Sequence, residues 1–482
     1  MPNPHDTYTS PLAARNASPE MCKIWSPRHK FTTWRKIWLA VAEAQQACGL
    51  DITDEQLDEM RAHIEVTDED MELAAKYERE LRHDVMAHVH AFGDRCPKAR
   101  GIIHLGCTSQ DVVCNGDRKN QLDALILIAG KLRRSIVALS HFSSEWKATP
   151  ALGFTHYQPA QPVTVGRRAA GWAYELTLCK RRIDEHLYHF ESRGFRGATG
   201  TQASFFNLFE GDGDRVDRFE RQAIQDIFTE PLAYDLTGQT YPRVIDTMVL
   251  ADIASIASVL HKIATDIRLL SNRKEIDEPF GKSQIGSSAM PYKRNPMKCE
   301  RICGLTRFVM NLVGNAYDTA ATQWLERTLD DSSNRRLSLP EAFLALDGAL
   351  DLMHTVADGL IVNEAMVKRN LMAELPFMAT ENIMMEAVKL GRDRQDIHEA
   401  IRVHSMAAGQ VVKQEGKDND LLDRLKGEPL LAGIDIDAHL DPMAYIGRSV
   451  EQTERFIKEV VEPMRERYKD ELESLGGADR GV

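Results

Sequence analysis

The sequence predicts an all-α fold of three domains, built around a central bundle of long helices. Two observations lead to this prediction. Apolar residues repeat at helical spacing over long stretches, whereas few stretches alternate with the period of two that strands show. The chain of 482 residues is also too long for one compact core, so more than one domain is expected.

The apolar pattern predicts the helices in chain order. An early helix repeats Phe31, Trp34 and Ile37, and Gly49 is well placed to end it. The clearest seam alternates steps of four and three on a helix predicted from about 243 to 271. Its members are Val249, Ile253, Ile256, Leu260, Ile263, Ile267 and Leu270. Further long helices are predicted at about 121–147, 164–191, 297–325 and 341–371. Several long helices with one apolar stripe each form a bundle, and such seams also suggest oligomerisation.

Changes in this pattern give the predicted domain boundaries. Residues 1–108 form an N-terminal helical domain, which ends where the helical pattern gives way to a turn-rich stretch near Cys107. Residues 109–362 form the central long-helix bundle with its polar loop. Residues 363–482, rich in short charged segments, form a C-terminal helical domain.

Charge and cysteine usage narrow the class of protein. With 60 basic and 72 acidic residues the net charge is −12, so an anionic ligand must be held by local cations and neither nucleic acid nor membrane is an expected partner. The eight cysteines include no C-x-x-C pair and match neither a zinc site nor a disulfide framework. No uninterrupted apolar run reaches the roughly 18 residues of a membrane span. The first residues lack the basic and apolar regions of a secretory signal, so we expect a cytoplasmic protein.

The loop at 286–296 reads Gly-Ser-Ser-Ala-Met-Pro-Tyr-Lys-Arg-Asn-Pro. Its glycine and prolines exclude a helix or a central strand. The two hydroxyls, Lys293, Asn295 and the backbone N–H groups suit a bound anion. Composition alone favours an ordinary surface loop, and only the order of the residues supports the functional interpretation.

Two further polar segments precede predicted helices. Residues 153–162 form a predicted loop with two prolines, and His156 within it can exchange a proton near neutral pH. A hydrogen-bonded structural histidine is the alternative. Thr108-Ser109-Gln110-Asp111 is typical of a helix N-cap, although capping and anion binding use the same free N–H groups.

Two charged clusters complete the set. Arg82-His83-Asp84 lies near His88, but histidines and carboxylates at ligand spacing do not recur elsewhere, so no metal site is predicted. Residues 326–336 contain three arginines and two serines, which could hold a phosphate through bidentate contacts. A solvated charged turn is the alternative for this stretch.

The three polar segments, 108–111, 153–162 and 286–296, are similar in content and order to the signature regions of the fumarase/aspartase superfamily. Within it the chain resembles the adenylosuccinate lyase family, in its longer eukaryotic form, over nearly the whole length. The residues that carry this closer resemblance are Arg82–Met86, Gln110, Met290–Arg294 and the arginine-rich stretch at 327–336. One departure is Asn16, since the family usually has tyrosine after the arginine that Arg15 matches.

The resemblance implies a carbon–nitrogen lyase of purine and AMP biosynthesis without a metal or an organic cofactor. Its reaction is β-elimination of fumarate from adenylosuccinate, giving AMP, and from the succinyl-aminoimidazole carboxamide ribotide (SAICAR), giving AICAR. His156 would be the general acid and Ser287 the general base, as an alkoxide stabilised by loop N–H groups and Lys293. The substrate-binding residues implied are Arg15, Arg82, His83, Asp84, Thr108, Ser109, Gln110, Thr155, Gln239, Lys293, Asn295, Arg301, Arg327, Ser332 and Arg336. The resemblance also implies a homotetramer whose active sites are shared between subunits.

Two alternatives remain open from the sequence. The chain could be another lyase of the superfamily, acting on argininosuccinate or fumarate, but such substrates have no phosphate for the 327–336 arginines to bind. It could also be a non-catalytic structural protein on the same scaffold. The joint presence of His156, Ser287, Lys293 and Asn295 argues against that.

Overall fold

The computed structural model describes residues 6–281 and 283–475. The chain is 69% helical, which confirms the all-α prediction. The α-helices are α1 (Pro19–Ile24), α2 (Pro27–Ala47), α3 (Asp54–Ala62), α4 (Asp68–Leu81), α5 (Asp84–Arg95), α6 (Ser109–Glu145), α7 (Val165–Tyr188), α8 (Ala203–Leu208), α9 (Gly213–Phe228), α10 (Val244–Asn272), α11 (Met297–Ala321), α12 (Asp331–Asp358), α13 (Glu364–Lys389), α14 (Arg394–Glu415), α15 (Leu421–Lys426), α16 (Ser449–Phe456), α17 (Glu462–Arg467) and α18 (Lys469–Ser474). The strands are β1 (Pro150–Thr155), β2 (Gln158–Thr164), β3 (Ile276–Asp277) and β4 (Ile361–Val362), in antiparallel pairs β1–β2 and β3–β4.

The chain divides into two compact units, each assembled from separate stretches of sequence. The first unit comprises the residues up to Leu132, Leu178–His261 and Gly304–Asp351. The second comprises Arg133–Thr177, Lys262–Cys303 and the residues from Leu352 onward. Five helices, α6, α7, α10, α11 and α12, have residues in both units. The three consecutive domains that the sequence suggests remain a prediction.

Helix α10 matches its sequence prediction within one residue at each end. All seven seam residues are buried, at 5% exposure or less. This helix is long and apolar enough to span a membrane, but a buried core helix of a globular protein meets the same criteria of length and composition. The burial of the whole seam is what a core helix shows.

Two predicted helices have different limits in the structure. Helix α6 begins at Ser109, twelve residues before the predicted start, so Ser109–Asp111 lie in its first turn and Thr108 directly precedes it. The helix predicted at 341–371 is wrong, because α12 ends at Asp358 and a new helix begins at Glu364. Between them β4 pairs with β3. Gly359 lies so close to Pro279 that an added Cβ would be 2.7 Å from the proline ring.

The loop predicted at 153–162 is a β-hairpin. Thr155 pairs with Gln158, and the two turn residues, His156 and Tyr157, have φ angles of 52° and 57°. Two consecutive positive φ values define the type I′ turn, which suits the twist of a hairpin. The two prolines of β2 are tolerated because this strand has only one neighbour in the two-stranded sheet. The hairpin therefore presents His156 at its tip, where the side chain is exposed.

Candidate active site

The first unit contains a cavity of about 340 Å³ between α2, α6 and α12. We call it the cationic cavity, after the basic residues in its lining: Lys30, Arg243, Arg327, Arg335 and Arg336. Four residues predicted to bind substrate line it: Gln110, Arg327, Ser332 and Arg336. Ser332 lies in the first turn of α12, where free N–H groups and the helix dipole favour a bound anion.

Arg327 and Gln239, two of the residues predicted to bind substrate, lie side by side. Arg327 Nη1 donates to Gln239 Oε1 at 3.0 Å, and the Gln239 N–H donates to the carbonyl oxygen of Glu326 at 3.1 Å. Gly238 permits this approach, because an added Cβ would lie 2.5 Å from the Glu326 carbonyl oxygen. The glutamine is thus held against the loop that leads into α12.

The neighbouring arginines of α12 have opposite surroundings. Arg335 is buried, and its guanidinium donates to Asp246 Oδ2 at 2.6 Å and to Asp117 Oδ2 at 3.0 Å. The Arg336 side chain is 57% exposed and forms an ion pair with Asp84 Oδ2 at 3.0 Å. Arg335 therefore stabilises the interior of this unit, and Arg336 is accessible to a ligand.

His83 and Asp84 start α5 beside the first turn of α6. His83 caps α5, since its Nδ1 accepts the Met86 N–H at 3.3 Å. When Nδ1 accepts, a neutral imidazole carries its proton on Nε2, which lies 3.4 Å from Ser109 Oγ and can donate to it. Burial alone would raise the pKa of Asp84, but the Val85 N–H and the Arg336 charge outweigh it and lower the pKa. Asp84 is therefore ionised beside Arg336.

Within Thr108–Asp111, the aspartate has a structural role. Asp111 is fully buried and accepts the N–H groups of Thr108 at 2.7 Å, Arg196 at 2.9 Å and Gly197 at 3.1 Å. It also forms an ion pair with Arg193. Asp111 thereby fixes the start of α6 and the loop at 193–197, which places Ser109 beside His83 and Gln110 in the cavity wall.

The loop at 286–296 belongs to the second unit and holds Ser287 among backbone donors. Ser287 Oγ accepts from the N–H of Met290 at 3.2 Å and, more weakly, from that of Ala289 at 3.4 Å. The Asn295 amide donates to the Gly286 carbonyl oxygen at 2.8 Å, which closes the loop. A Cβ on Gly286 would lie 2.1 Å from the Lys293 carbonyl oxygen, so only glycine fits there.

Buried Glu278 anchors the far side of this loop. Its carboxylate accepts the N–H groups of Lys298 at 3.0 Å and Cys299 at 2.9 Å, at the start of α11. Arg301 follows on the same helix. Thr155 and His156 are exposed at the hairpin tip, and within the described residues no hydrogen bond or ion pair joins His156 to Ser287.

Arg15 and Arg82 also lie apart from the cavity lining. Arg15 is in a π-helical turn, Leu12–Asn16, whose last carbonyl group packs against Gly348 of α12. Twelve residues separate Gly348 from Arg336, or about 18 Å along a helix. The Asn16 amide donates to the Pro11 carbonyl oxygen at 2.9 Å and so serves the turn itself. Arg82 is exposed, with a φ of 53°, where α4 ends.

Lys30 is a residue of the cavity that the sequence did not indicate. It lies in the first turn of α2, and its Nζ is 4.8 Å from the centroid of the Trp34 ring. Burial, assisted by the charge of Arg336, lowers its pKa, although Asp117 and Asp84 oppose this. The one sequence signal is a cation in a first helical turn, where the helix dipole disfavours positive charge.

Comparison with known proteins identifies relatives of this chain in sequence and in fold. A sequence profile described as lyase matches residues 14–311, and one described as adenylosuccinate lyase C-terminus matches residues 376–456. The structure resembles 3-carboxy-cis,cis-muconate lactonizing enzyme from Pseudomonas putida, with a TM-score of 0.81 and 25% identity over 93% of this chain and 98% of that one. It also resembles a fumarate lyase from Mesorhizobium sp. BNC1, with a TM-score of 0.79, 21% identity and coverage of 94% and 99%.

The sequence relatives are closer. Adenylosuccinate lyase of Saccharomyces cerevisiae is 47% identical over 98% of this chain and 99% of its own length. That of Schizosaccharomyces pombe is 48% identical over 95% of each chain. The fold and the profile match therefore define a helical lyase of the fumarase/aspartase superfamily. Within that superfamily, the chain belongs to the adenylosuccinate lyase family.

Proposed function

We propose that this chain cleaves adenylosuccinate to AMP and fumarate by β-elimination, and SAICAR to AICAR and fumarate in the same way. Family membership supports the lyase activity. The observation that points to a nucleotide is the grouping of Arg327, Ser332 and Arg336 on one cavity at the start of α12. A superfamily substrate without a phosphate would not require these groups.

Ser287 is the proposed general base. A serine hydroxyl is a poor base in water, so the role requires stabilisation of its alkoxide. The N–H groups of Ala289 and Met290, already directed at Ser287 Oγ, supply part of it, and Lys293 of the same loop supplies positive charge. Removal of the carbon-bound proton places negative charge on the adjacent carboxylate, which Lys293 and Asn295 would also stabilise.

His156 is the proposed general acid, which protonates the leaving nitrogen as the C–N bond breaks. Its position at the tip of a hairpin makes it accessible to a substrate from outside the unit. His83, held between the Met86 N–H and Ser109 Oγ, would orient the substrate near Arg336. Thr108, Gln110, Thr155, Gln239 and Arg301 would complete the contacts, with Arg82 and Asp84 at the edge of the site.

A homotetramer with shared active sites accounts for groups that one chain leaves apart. The turn that carries Arg15 approaches α12 at Gly348, about 18 Å along that helix from Arg336, and no hydrogen bond between described residues joins His156 to Ser287. Exposed apolar side chains near Gln239, such as Leu236 and Leu325, would be covered by neighbouring subunits. We propose that this assembly is cytoplasmic, in agreement with the cysteine usage of the chain.

The decisive test follows fumarate release from adenylosuccinate, with argininosuccinate as the comparison substrate. The proposal predicts release from adenylosuccinate alone, and release from argininosuccinate alone would refute it. Ser287→Ala and His156→Ala should each reduce turnover by at least about 10²-fold while substrate binding, measured by calorimetry, persists. Normal turnover by Ser287→Ala would exclude Ser287 as the base.

Mixing the two inactive variants tests the shared sites. Under conditions of subunit exchange, Ser287→Ala and His156→Ala chains should form some sites in which both native residues are present, and part of the activity should return. Homogeneous samples of each variant, treated identically, are the controls. If mass spectrometry shows exchange and the mixture stays inactive, the shared-site proposal is wrong.

A further inference from the structure

Among the described residues, one cation of the cationic cavity has no carboxylate oxygen within 4 Å. Each of its four arginines has a carboxylate oxygen within 4 Å. The pairs are Arg243 with Asp331 at 2.7 Å, Arg327 with Asp331 at 3.7 Å, Arg335 with Asp246 at 2.6 Å and Arg336 with Asp84 at 3.0 Å. The fifth cation, Lys30, makes no ion pair within that distance to any residue that the structure describes.

The surroundings of Lys30 make this charge costly. The side chain is half-buried, and its ammonium group rests on the rings of Trp34, at 4.8 Å, and Phe31, at 5.1 Å from their centroids. Such contacts compensate only part of the lost hydration of an ammonium group. The start of α2 adds repulsion from the helix dipole.

Charged groups on four other helices also act on Lys30. Asp117 of α6, Asp84 of α5 and Glu78 of α4 favour its charged form, and Arg336 of α12 disfavours it. Two of these acids are already engaged, since Asp117 pairs with Arg335 and Asp84 with Arg336. Lys30 therefore shares Asp117 and Asp84 with two arginines.

We propose that Lys30 is a further substrate-binding residue, which contacts the phosphate of the nucleotide inside the cationic cavity beside Arg336. This inference rests on the proposed function. A phosphate monoester carries a charge of about −1.5 to −2 at neutral pH. Arg336 already forms an ion pair with Asp84, so compensation of the full phosphate charge requires a further cation that is not held in such a pair. Lys30, a compact point charge on a flexible stem, meets that requirement.

Calorimetry with AMP and with fumarate tests the inference. Lys30→Met keeps an apolar stem against Trp34 but removes the charge, and it should weaken AMP binding about 10- to 100-fold, as loss of a hydrogen bond to a charged group typically does. Fumarate, which has no phosphate, should bind as it does to the original protein. Lys30→Arg should bind AMP within a few-fold of the original affinity.

Lys36→Met, an exposed change of the same type on the same helix, is the matched control and should leave AMP binding unchanged. Thermal unfolding of each variant shows whether packing has suffered. Unchanged AMP affinity in Lys30→Met would overturn the inference, and so would an equal loss of AMP and fumarate binding. If the original protein releases no fumarate from adenylosuccinate, the proposed function fails, yet the AMP comparison still decides the role of Lys30.

Discussion

Arg335 and Arg336 are adjacent in sequence, and the structure predicts opposite consequences when each is changed to leucine. The Arg336 side chain is 57% exposed and Asp84 is 29% exposed, so their pair is an exposed one. Such pairs contribute up to about 1 kcal/mol to folding. Arg336→Leu should therefore lower the free energy of unfolding by at most about 1 kcal/mol. It should weaken AMP binding by about 1.5–3 kcal/mol, or roughly 10- to 150-fold.

Arg335 has the reverse balance. Its side chain is 7% exposed and its partner Asp246 is 3% exposed, with 2.6 Å between Nε and Oδ2. Removing one partner of a buried ion pair leaves the other charge without compensation and typically costs about 3–5 kcal/mol. The hydroxyl of buried Tyr241, which also contacts both groups, would lose a partner as well. Arg335→Leu should thus destabilise the fold severely.

Urea unfolding and AMP calorimetry on both variants separate the two roles. Arg336→Leu should unfold close to the original urea midpoint and bind AMP poorly, whereas Arg335→Leu should unfold at a much lower midpoint. If Arg336→Leu binds AMP normally, its assignment to the phosphate is wrong. If Arg335→Leu unfolds at the original midpoint, the buried network does not stabilise this unit as the structure indicates.

Three further outcomes are expected. Burial lowers the pKa of His88 to about 4, so between about pH 6.5 and pH 4 the unfolded chain binds one more proton than the folded chain, and the free energy of unfolding should fall by up to about 3 kcal/mol across that range. The urea midpoint of His88→Gln should depend less steeply on pH than that of the original protein, and equal slopes would contradict this. Lys131→Met should cost about 3–5 kcal/mol, since it strands two buried aspartates of α12, and a loss below about 1 kcal/mol in urea titrations would refute that. Gly348→Ala would place a Cβ 2.5 Å from the Asn16 carbonyl oxygen, so the turn that carries Arg15 must shift. The KM for adenylosuccinate should then rise, and an unaltered KM would mean that Arg15 does not contact substrate.

Local pattern explains which parts of the fold were predictable. Helix α10 was found within one residue at each end because its seam is regular and buried throughout. The hairpin at 150–164 was missed because two non-glycine residues, His156 and Tyr157, adopt the positive φ angles that usually signal glycine, and because prolines occupy β2. The break after Asp358 depends on pairing of Val362 with Ile276, a contact between distant segments.

The site shows a similar division. Ordered motifs identified the groups that the structure brings to one cavity, among them Gln110, Ser332 and Arg336. Sequence could not show that Arg335 is used inside the protein, since its partners come from other helices. Lys30 escaped notice for the same reason. Lys30 stands out because no described carboxylate lies within ion-pair distance of it, and such distances are known only once the chain has folded.

The buried position of Asp111 affects how far the Thr-Ser-Gln-Asp pattern can report catalysis in relatives of this protein. Asp111 holds the loop at 193–197 and the start of α6, so a descendant that had lost its activity would still need it to fold. Ser109 and Arg336, half-buried or exposed, are under no comparable demand from folding. A relative in which Ser109 and Arg336 are replaced but Asp111 is retained would therefore be expected to fold in the same way and to lack the activity.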